Sequence, residues 1–199
     1  MPRYIGAPSV NQGIDWVKIA SQEATGVSSI SFVAGSNGVI FDDTFDEYKF
    51  EYTNIHPATD AQDFTFQATI NASDFNVPIQ SGTWRTLHDD AGTTTGAAYD
   101  GGGDQVPSDA AYQAISDEVG NGALESVSGE LFIYLPYSVE YLKHFIGNSV
   151  CYRADEYVVG YSVAGYLDDA DDEINGVSFK FASGNIDEGI ITMYGLSKP

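Results

Sequence analysis

The fold class of this chain is decided by the stretch Phe179-Lys-Phe181-Ala-Ser-Gly-Asn-Ile-Asp187-Glu-Gly-Ile-Ile-Thr-Met-Tyr194-Gly-Leu196. Its apolar residues stand in two blocks, separated by a short turn of small and polar residues. Aromatic and β-branched residues bounded by such a turn are typical of β-strands. The stretch therefore predicts one strand, a tight turn and a closing strand, and it contains no catalytic motif.

The same pattern extends through the rest of the chain. Residues 48–53 and 64–70 alternate apolar with polar side chains, which is typical of antiparallel strands that bury one face. In a third candidate, residues 142–150, the alternation with Leu142 and Ile146 predicts that His144 points inward. Further strands are predicted at 17–19, 27–32, 127–135, 157–167, 176–182 and 188–196.

Two segments depart from this pattern. Residues 88–107 hold five glycines and predict a long loop. The next segment, residues 108–119, predicts one short helix, because Ser108 can cap its first turn and Gly120 can end it. Together the patterns predict an all-β protein: an antiparallel two-sheet sandwich, jelly-roll-like, of about ten strands with one short helix. This domain spans residues 17–199.

Residues 1–16 contain Pro2, Pro8 and two glycines and show little periodicity, so they are either a frayed tail or an N-terminal anchoring arm, and their large apolar residues favour the arm. The large apolar residues Tyr4, Ile5 and Trp16 are the candidates for docking this arm on a neighbouring protein. The start of the chain has no long apolar segment, so we expect no signal peptide.

The charge of the chain excludes several functions. It has 29 acidic and 8 basic residues, a net charge of −21. A protein that binds nucleic-acid phosphates or anionic membranes needs clustered Lys and Arg, which this chain lacks, so we expect neither as a partner. Five acids crowd into residues 168–173, and a second cluster lies at 42–47. Each cluster is either a solvated turn or a weak Ca²⁺ site, since hard cations bind clustered carboxylates.

The sequence predicts no enzymatic activity. Gly160-Tyr-Ser162-Val-Ala164 imitates a nucleophile elbow, but strand-like residues flank it on both sides where the elbow needs a helix. The three histidines, His56, His88 and His144, are not at metal-ligand spacing. The single cysteine, Cys151, is predicted to be buried and inert.

A carbohydrate site stays open as an alternative. Trp84, Arg85 and Tyr99 are the candidate ligand contacts, because exposed aromatic rings stack on sugars. Packing in the core is the competing interpretation for Trp84.

Several blocks resemble a known family. The opening Met1-Pro-Arg-Tyr-Ile-Gly6 resembles the short anchor that begins many phage tail-fibre and head-appendage proteins. The run from Tyr48 to Gln67 resembles a block in structural proteins of marine bacteriophages. The blocks Ser126–Gly129, Lys143–Ile146 and Phe179–Gly195 are similar to the same family, in the same order.

The resemblance covers about residues 17–196, and the chain departs from it at 91–103 and 168–173. It implies a virion structural protein, assembled in the host cytoplasm and carried outside the particle as a tail fibre, knob or capsid decoration. The implied partners are other virion proteins and further copies of the chain, with a trimer favoured. A module that binds host-surface glycan on the same particle is the alternative function.

Overall fold

The computed structural model describes residues 14–107, 110–169 and 171–198; the docking candidates Tyr4 and Ile5 lie outside these ranges. The described residues form twelve strands and no helix. The strands are β1 (Trp16–Val27), β2 (Ile30–Val33), β3 (Phe45–Pro57), β4 (Phe64–Thr69), β5 (Ile79–Asp89), β6 (Thr95–Tyr99), β7 (Gln113–Ala114), β8 (Val127–Tyr134), β9 (Lys143–Tyr152), β10 (Tyr157–Leu167), β11 (Gly176–Phe181) and β12 (Ile186–Ser197).

The strands form two antiparallel sheets. The long sheet has the order β1-β12-β3-β8-β9-β10-β5-β6, and the short sheet has the order β2-β11-β4-β7. The predicted all-β, two-sheet antiparallel architecture is therefore confirmed, with twelve strands in place of about ten. The division into eight and four strands does not confirm a jelly roll, which folds eight strands into two Greek keys.

Aromatic rings fill the space between the sheets. Phe32 of the short sheet meets Phe50 of the long sheet at a centroid distance of 5.4 Å, and Phe66 meets Phe145 at 5.0 Å. Both contacts are edge-to-face, the arrangement that ring quadrupoles favour. The stretch that decided the fold class supplies a strand to each sheet, since β11 lies in the short sheet and β12 in the long one.

The predicted helix at residues 108–119 is wrong where the structure describes it, from residue 110 onward. The segment runs extended and contains β7. The N–H of Ile115 donates to the carbonyl of Phe64 at 2.8 Å, and the N–H of Val119 donates to that of Gln62 at 2.9 Å. Tertiary partners thus use donors that a helix would direct to its own carbonyls, so pairing with the neighbouring chain overrides local propensity.

The predicted long loop at 88–107 is also partly wrong, because it contains β6. β5 and β6 form a hairpin whose turn is closed by Asp89. Its carboxylate accepts hydrogen bonds from the Thr93 hydroxyl and from the N–H groups of Thr93 and Thr94. These bonds, led by the one from the Thr93 hydroxyl, lower the pKa of Asp89 to about 2.

Candidate ligand surface on the eight-stranded sheet

The long sheet buries one face against the short sheet and leaves its other face open. On β10, Tyr161 and Val163 are buried, whereas Val158 and Ser162 are exposed. No described residue packs over this outer face as a further layer of sheet or helix. Six large apolar side chains of this face are more than two-fifths exposed: Trp84, Tyr99, Ile146, Val150, Val158 and Ile190.

One line of outward-facing side chains crosses all eight strands. Each member is the register partner of the next, so the line runs perpendicular to the strands. We call it the cross-sheet row, and from β6 to β1 it comprises Tyr99, Trp84, Ser162, Asn148, Glu130, Glu51, Thr192 and Ser21. With a strand spacing of about 4.8 Å, the row is about 34 Å long.

The aromatic end of the row lies on the β5–β6 hairpin. Trp84 and Tyr99 are directly opposite each other and are 49% and 57% exposed, so packing of Trp84 in the core is excluded. The Tyr99 hydroxyl donates to Asp104 Oδ2 at 2.5 Å, and this bond raises the pKa of Tyr99. The two rings form a platform that is open to solvent.

Arg85 does not belong to this platform. Adjacent residues of a strand point to opposite faces, and the side chain of Arg85 turns inward. Its Nη1 lies 2.7 Å from Asp117 Oδ2. The sequence analysis grouped Arg85 with Trp84 and Tyr99, but the structure brings together only the two aromatic residues.

The centre of the row is polar and acidic. Glu51 and Glu130 are register partners on β3 and β8, and Glu51 lies 2.6 Å from Lys49 Nζ. The Glu130 carboxylate has no hydrogen bond or ion pair with any described residue, although the backbone of Glu130 lies in the sheet. A shallow depression of about 430 Å³ opens here, lined by both glutamates and by the neighbouring Asn148 and Ser128.

Ser162 lies in this row, and its partner is not a base. The Ser162 hydroxyl donates to the amide oxygen of Asn148 at 2.9 Å, and an amide cannot take up its proton. The predicted strand on both sides of Ser162 is confirmed, since β10 continues from Tyr157 to Leu167. Ser162 and Asn148 form a pair that offers hydrogen bonds to a ligand.

The tryptophan predicted to dock the arm lies in the sheet. Trp16 is the first residue of β1 and pairs with Leu196. Its ring is 6.0 Å from that of Phe132, and Lys49 Nζ lies 4.7 Å from its centroid. Trp16 thus packs on the outer face of the long sheet, beside the cross-sheet row.

The acidic turn at 168–173 surrounds an ammonium group from the protein itself. The fully buried Lys143 donates from Nζ to the carbonyl oxygens of Asp169 and Asp172. Burial lowers the pKa of Lys143, although the surrounding carboxylates oppose this shift. Two carbonyl oxygens of this turn, those of Asp169 and Asp172, therefore already bind a cationic group.

The position of Lys143 corrects a prediction. Its neighbour His144 was expected to point inward, but His144 is exposed and Lys143 is buried. The alternation was assigned to the wrong face, because a charged residue occupies an inward position that sequence reasoning reserves for apolar side chains. The crowded carboxylates at 168–173 were the available signal for a buried cation.

A second cluster of charged residues links Asp117, in the segment that was predicted to be helical, to β5 and to the residue that follows β9. Asp117, about one-tenth exposed, lies 2.7 Å from both Arg85 Nη1 and Arg153 Nη1. Cys151 donates from Sγ to the Asp117 carbonyl at 3.3 Å. Burial raises the pKa of this thiol to about 11, and its predicted burial is confirmed.

The other acidic cluster, at 42–47, is also engaged with basic and hydroxyl groups. Lys198 Nζ lies 2.8 Å from Asp46 Oδ1 and the Tyr137 hydroxyl donates to the same oxygen, and these two contacts lower the pKa of Asp46. In residues 14–107, 110–169 and 171–198, no three His, Cys, Asp or Glu side chains are grouped as metal ligands.

Comparisons with known proteins do not assign the chain to a family. The described residues include no helix that is long and apolar enough to cross a membrane. No protein-family model and no curated protein matches the chain.

Proposed function

We propose that this chain is a structural protein of a bacteriophage virion, an exterior appendage such as a tail fibre, a knob or a capsid decoration. The observation that carries the proposal is where the family-like blocks lie. The run 48–67 supplies most of β3 and the start of β4, and the run 179–195 supplies much of β11 and β12. These strands pair as β3–β12 and β4–β11 inside the two sheets, so the blocks that carry the resemblance lie in paired strands of the sandwich.

The two segments that depart from the family lie at the periphery of this scaffold. Residues 91–103 contain the edge strand β6, and the acidic residues 168, 169 and 171–173 follow β10. Variation at loops and edges around a constant scaffold is typical of proteins that present a binding surface. This arrangement supports a role without enzymatic activity, in which the body is held on the particle and its edge faces outward.

Charge supports protein partners over nucleic acid. Among the described residues, every Lys and Arg side chain except Lys18 contacts an acid, a carbonyl or an aromatic ring of the same chain. The surface that remains is acidic. The proposed partners are other virion proteins and further copies of the chain. The copies would form a homo-oligomer, with a trimer favoured.

Deletion of residues 1–13 tests the proposal and keeps Trp16 in β1. We expect the truncated protein to melt as cooperatively as the full chain and to be missing from purified particles, as measured by mass spectrometry of virions assembled with either form. A particle that incorporates both forms equally contradicts docking through the N-terminal arm. Absence of the full-length chain from purified particles contradicts the virion role itself.

A second function, binding of host-surface glycan, is favoured by one specific observation. Trp84 and Tyr99 are cross-strand neighbours and present their rings to solvent. Loss of glycan-array binding in Trp84→Ala, with an unchanged melting temperature, is the expected result. Array binding that is equal in both forms contradicts this function.

A further inference from the structure

We propose that the whole cross-sheet row is an extended binding track for an uncharged polysaccharide chain. This inference rests on the second proposed function, glycan binding at Trp84 and Tyr99. It extends that site from two aromatic rings to a line across eight strands, and it names the class of glycan.

The chemistry of the row matches sugar hydroxyls. Glu51 and Glu130 accept hydrogen bonds from O–H donors, and bonds to an ionised carboxylate are stronger than bonds between neutral groups. Asn148 has amide N–H donors without a partner among the described residues. Trp84 and Tyr99 supply flat apolar surfaces at one end. Rings for stacking and polar groups for hydroxyls therefore lie on one line.

The shape of the surface favours a chain over a single sugar. The row spans about 34 Å at the usual strand spacing, and the depression at Glu51 and Glu130 lies near its middle. On one side the row is bordered by a parallel line that holds the small residues Ser128, Gly160 and Ala97 and the exposed Val150. A chain lying along the row would cross the strands at right angles and contact each in turn.

The charges exclude anionic glycans. Lys49 lies beside the row, but its ammonium group is held by Glu51 and by the rings of Trp16 and Tyr194. No described Lys or Arg side chain belongs to the row. An anionic chain would meet the unpaired carboxylate of Glu130, with Lys49 already held by Glu51, on a protein whose net charge is −21.

The test measures affinity of the full-length protein for neutral glucan, mannan, galactan and N-acetylglucosamine oligosaccharides of two and six units, with alginate and polygalacturonate as anionic probes. We expect binding of at least one neutral hexasaccharide, weaker binding of its disaccharide, and no binding of the anionic polymers. Trp84→Ala, Glu130→Gln and Asn148→Ala should each weaken binding about tenfold. Glu140→Gln, an exposed carboxylate outside the long sheet, should leave it unchanged.

Three outcomes overturn the track. Binding that is lost in Trp84→Ala but unchanged in Glu130→Gln and Asn148→Ala leaves glycan binding at the aromatic platform and removes the extended site. Tighter binding of alginate or polygalacturonate than of every neutral probe contradicts the charge argument. Binding of no probe removes both the track and the second proposed function.

Discussion

The two faces of the long sheet are built from the same strands, but one face is buried against the short sheet and the other is exposed to solvent. On β9, Phe145 is buried against Phe66 of the short sheet, while the next residue, Ile146, is 42% exposed. On β5, Arg85 is tied inward to Asp117, while Trp84 faces solvent. The cations that point inward, Arg85 and Lys143, bind groups of the same chain and stabilise the fold. The outer face carries acidic and aromatic side chains that are exposed to solvent. Because successive side chains of a strand point to opposite faces, the position of a residue in the strand decides whether it stabilises the protein or is available to a ligand.

The largest expected effect tests this difference directly on β9. Phe145→Ala should lower the free energy of unfolding by about 3–5 kcal/mol, because it leaves a cavity between the sheets. Ile146→Ala, its outward neighbour, should lower it by less than about 1 kcal/mol. Urea unfolding of both variants makes the measurement. Equal losses would mean that the outer face of β9 is covered as well.

The buried ion cluster gives the next largest effect. Asp117→Ala leaves Arg85 and Arg153 without their shared carboxylate, and we expect a loss of about 3 kcal/mol in unfolding free energy. Asp155→Ala is the matched control, because this carboxylate also contacts Arg153 but is half exposed. It should cost less than about 1 kcal/mol. A similar loss in the two variants contradicts a structural role for the buried carboxylate.

Lys143 gives a smaller effect that depends on pH. Its pKa is lowered in the folded protein, so over the interval between the folded pKa and 10.5 the unfolded chain binds more protons. The stability contributed by this position must therefore rise with pH in that interval. We expect the wild type to gain stability relative to Lys143→Met between neutral pH and pH 10, in urea unfolding at each pH. A difference between the two proteins that does not change with pH contradicts the burial of a charged ammonium.

Local patterns were sufficient to predict the sheets but not every side-chain direction. The bounds of β10 were predicted without error, since Tyr157–Leu167 is a run of mostly apolar, aromatic and small residues between turn residues. The direction of His144 was wrong, because the charge of the buried Lys143 is satisfied by carbonyls 26 and 29 residues away in the chain. Local alternation contains no information about such a distant partner.

Only part of the candidate site was predicted, because the sequence does not show which residues of distant strands become neighbours. Trp84 and Tyr99 were singled out by residue type, and strand pairing places them together. Glu51 and Glu130 could not be selected from 29 acids, because only the register of β3 with β8 shows that they are neighbours. In the alternating stretch 64–70 the polar Gln67 is also fully buried, and its amide donates to carbonyls of Ala110 and Ala111.

The central claim is that the outer face of the long sheet stays open in the assembled protein. Acrylamide quenching of tryptophan fluorescence tests it most directly, because both tryptophans, Trp16 and Trp84, lie on this face. In Trp16→Phe only Trp84 emits, and in Trp84→Phe only the more enclosed Trp16 emits. The account predicts strong quenching of Trp84, and weaker quenching of Trp16, in the full-length protein at a concentration where light scattering shows its oligomer. Protection of Trp84 that disappears on dilution to monomer would contradict the account, since another copy would then cover the face.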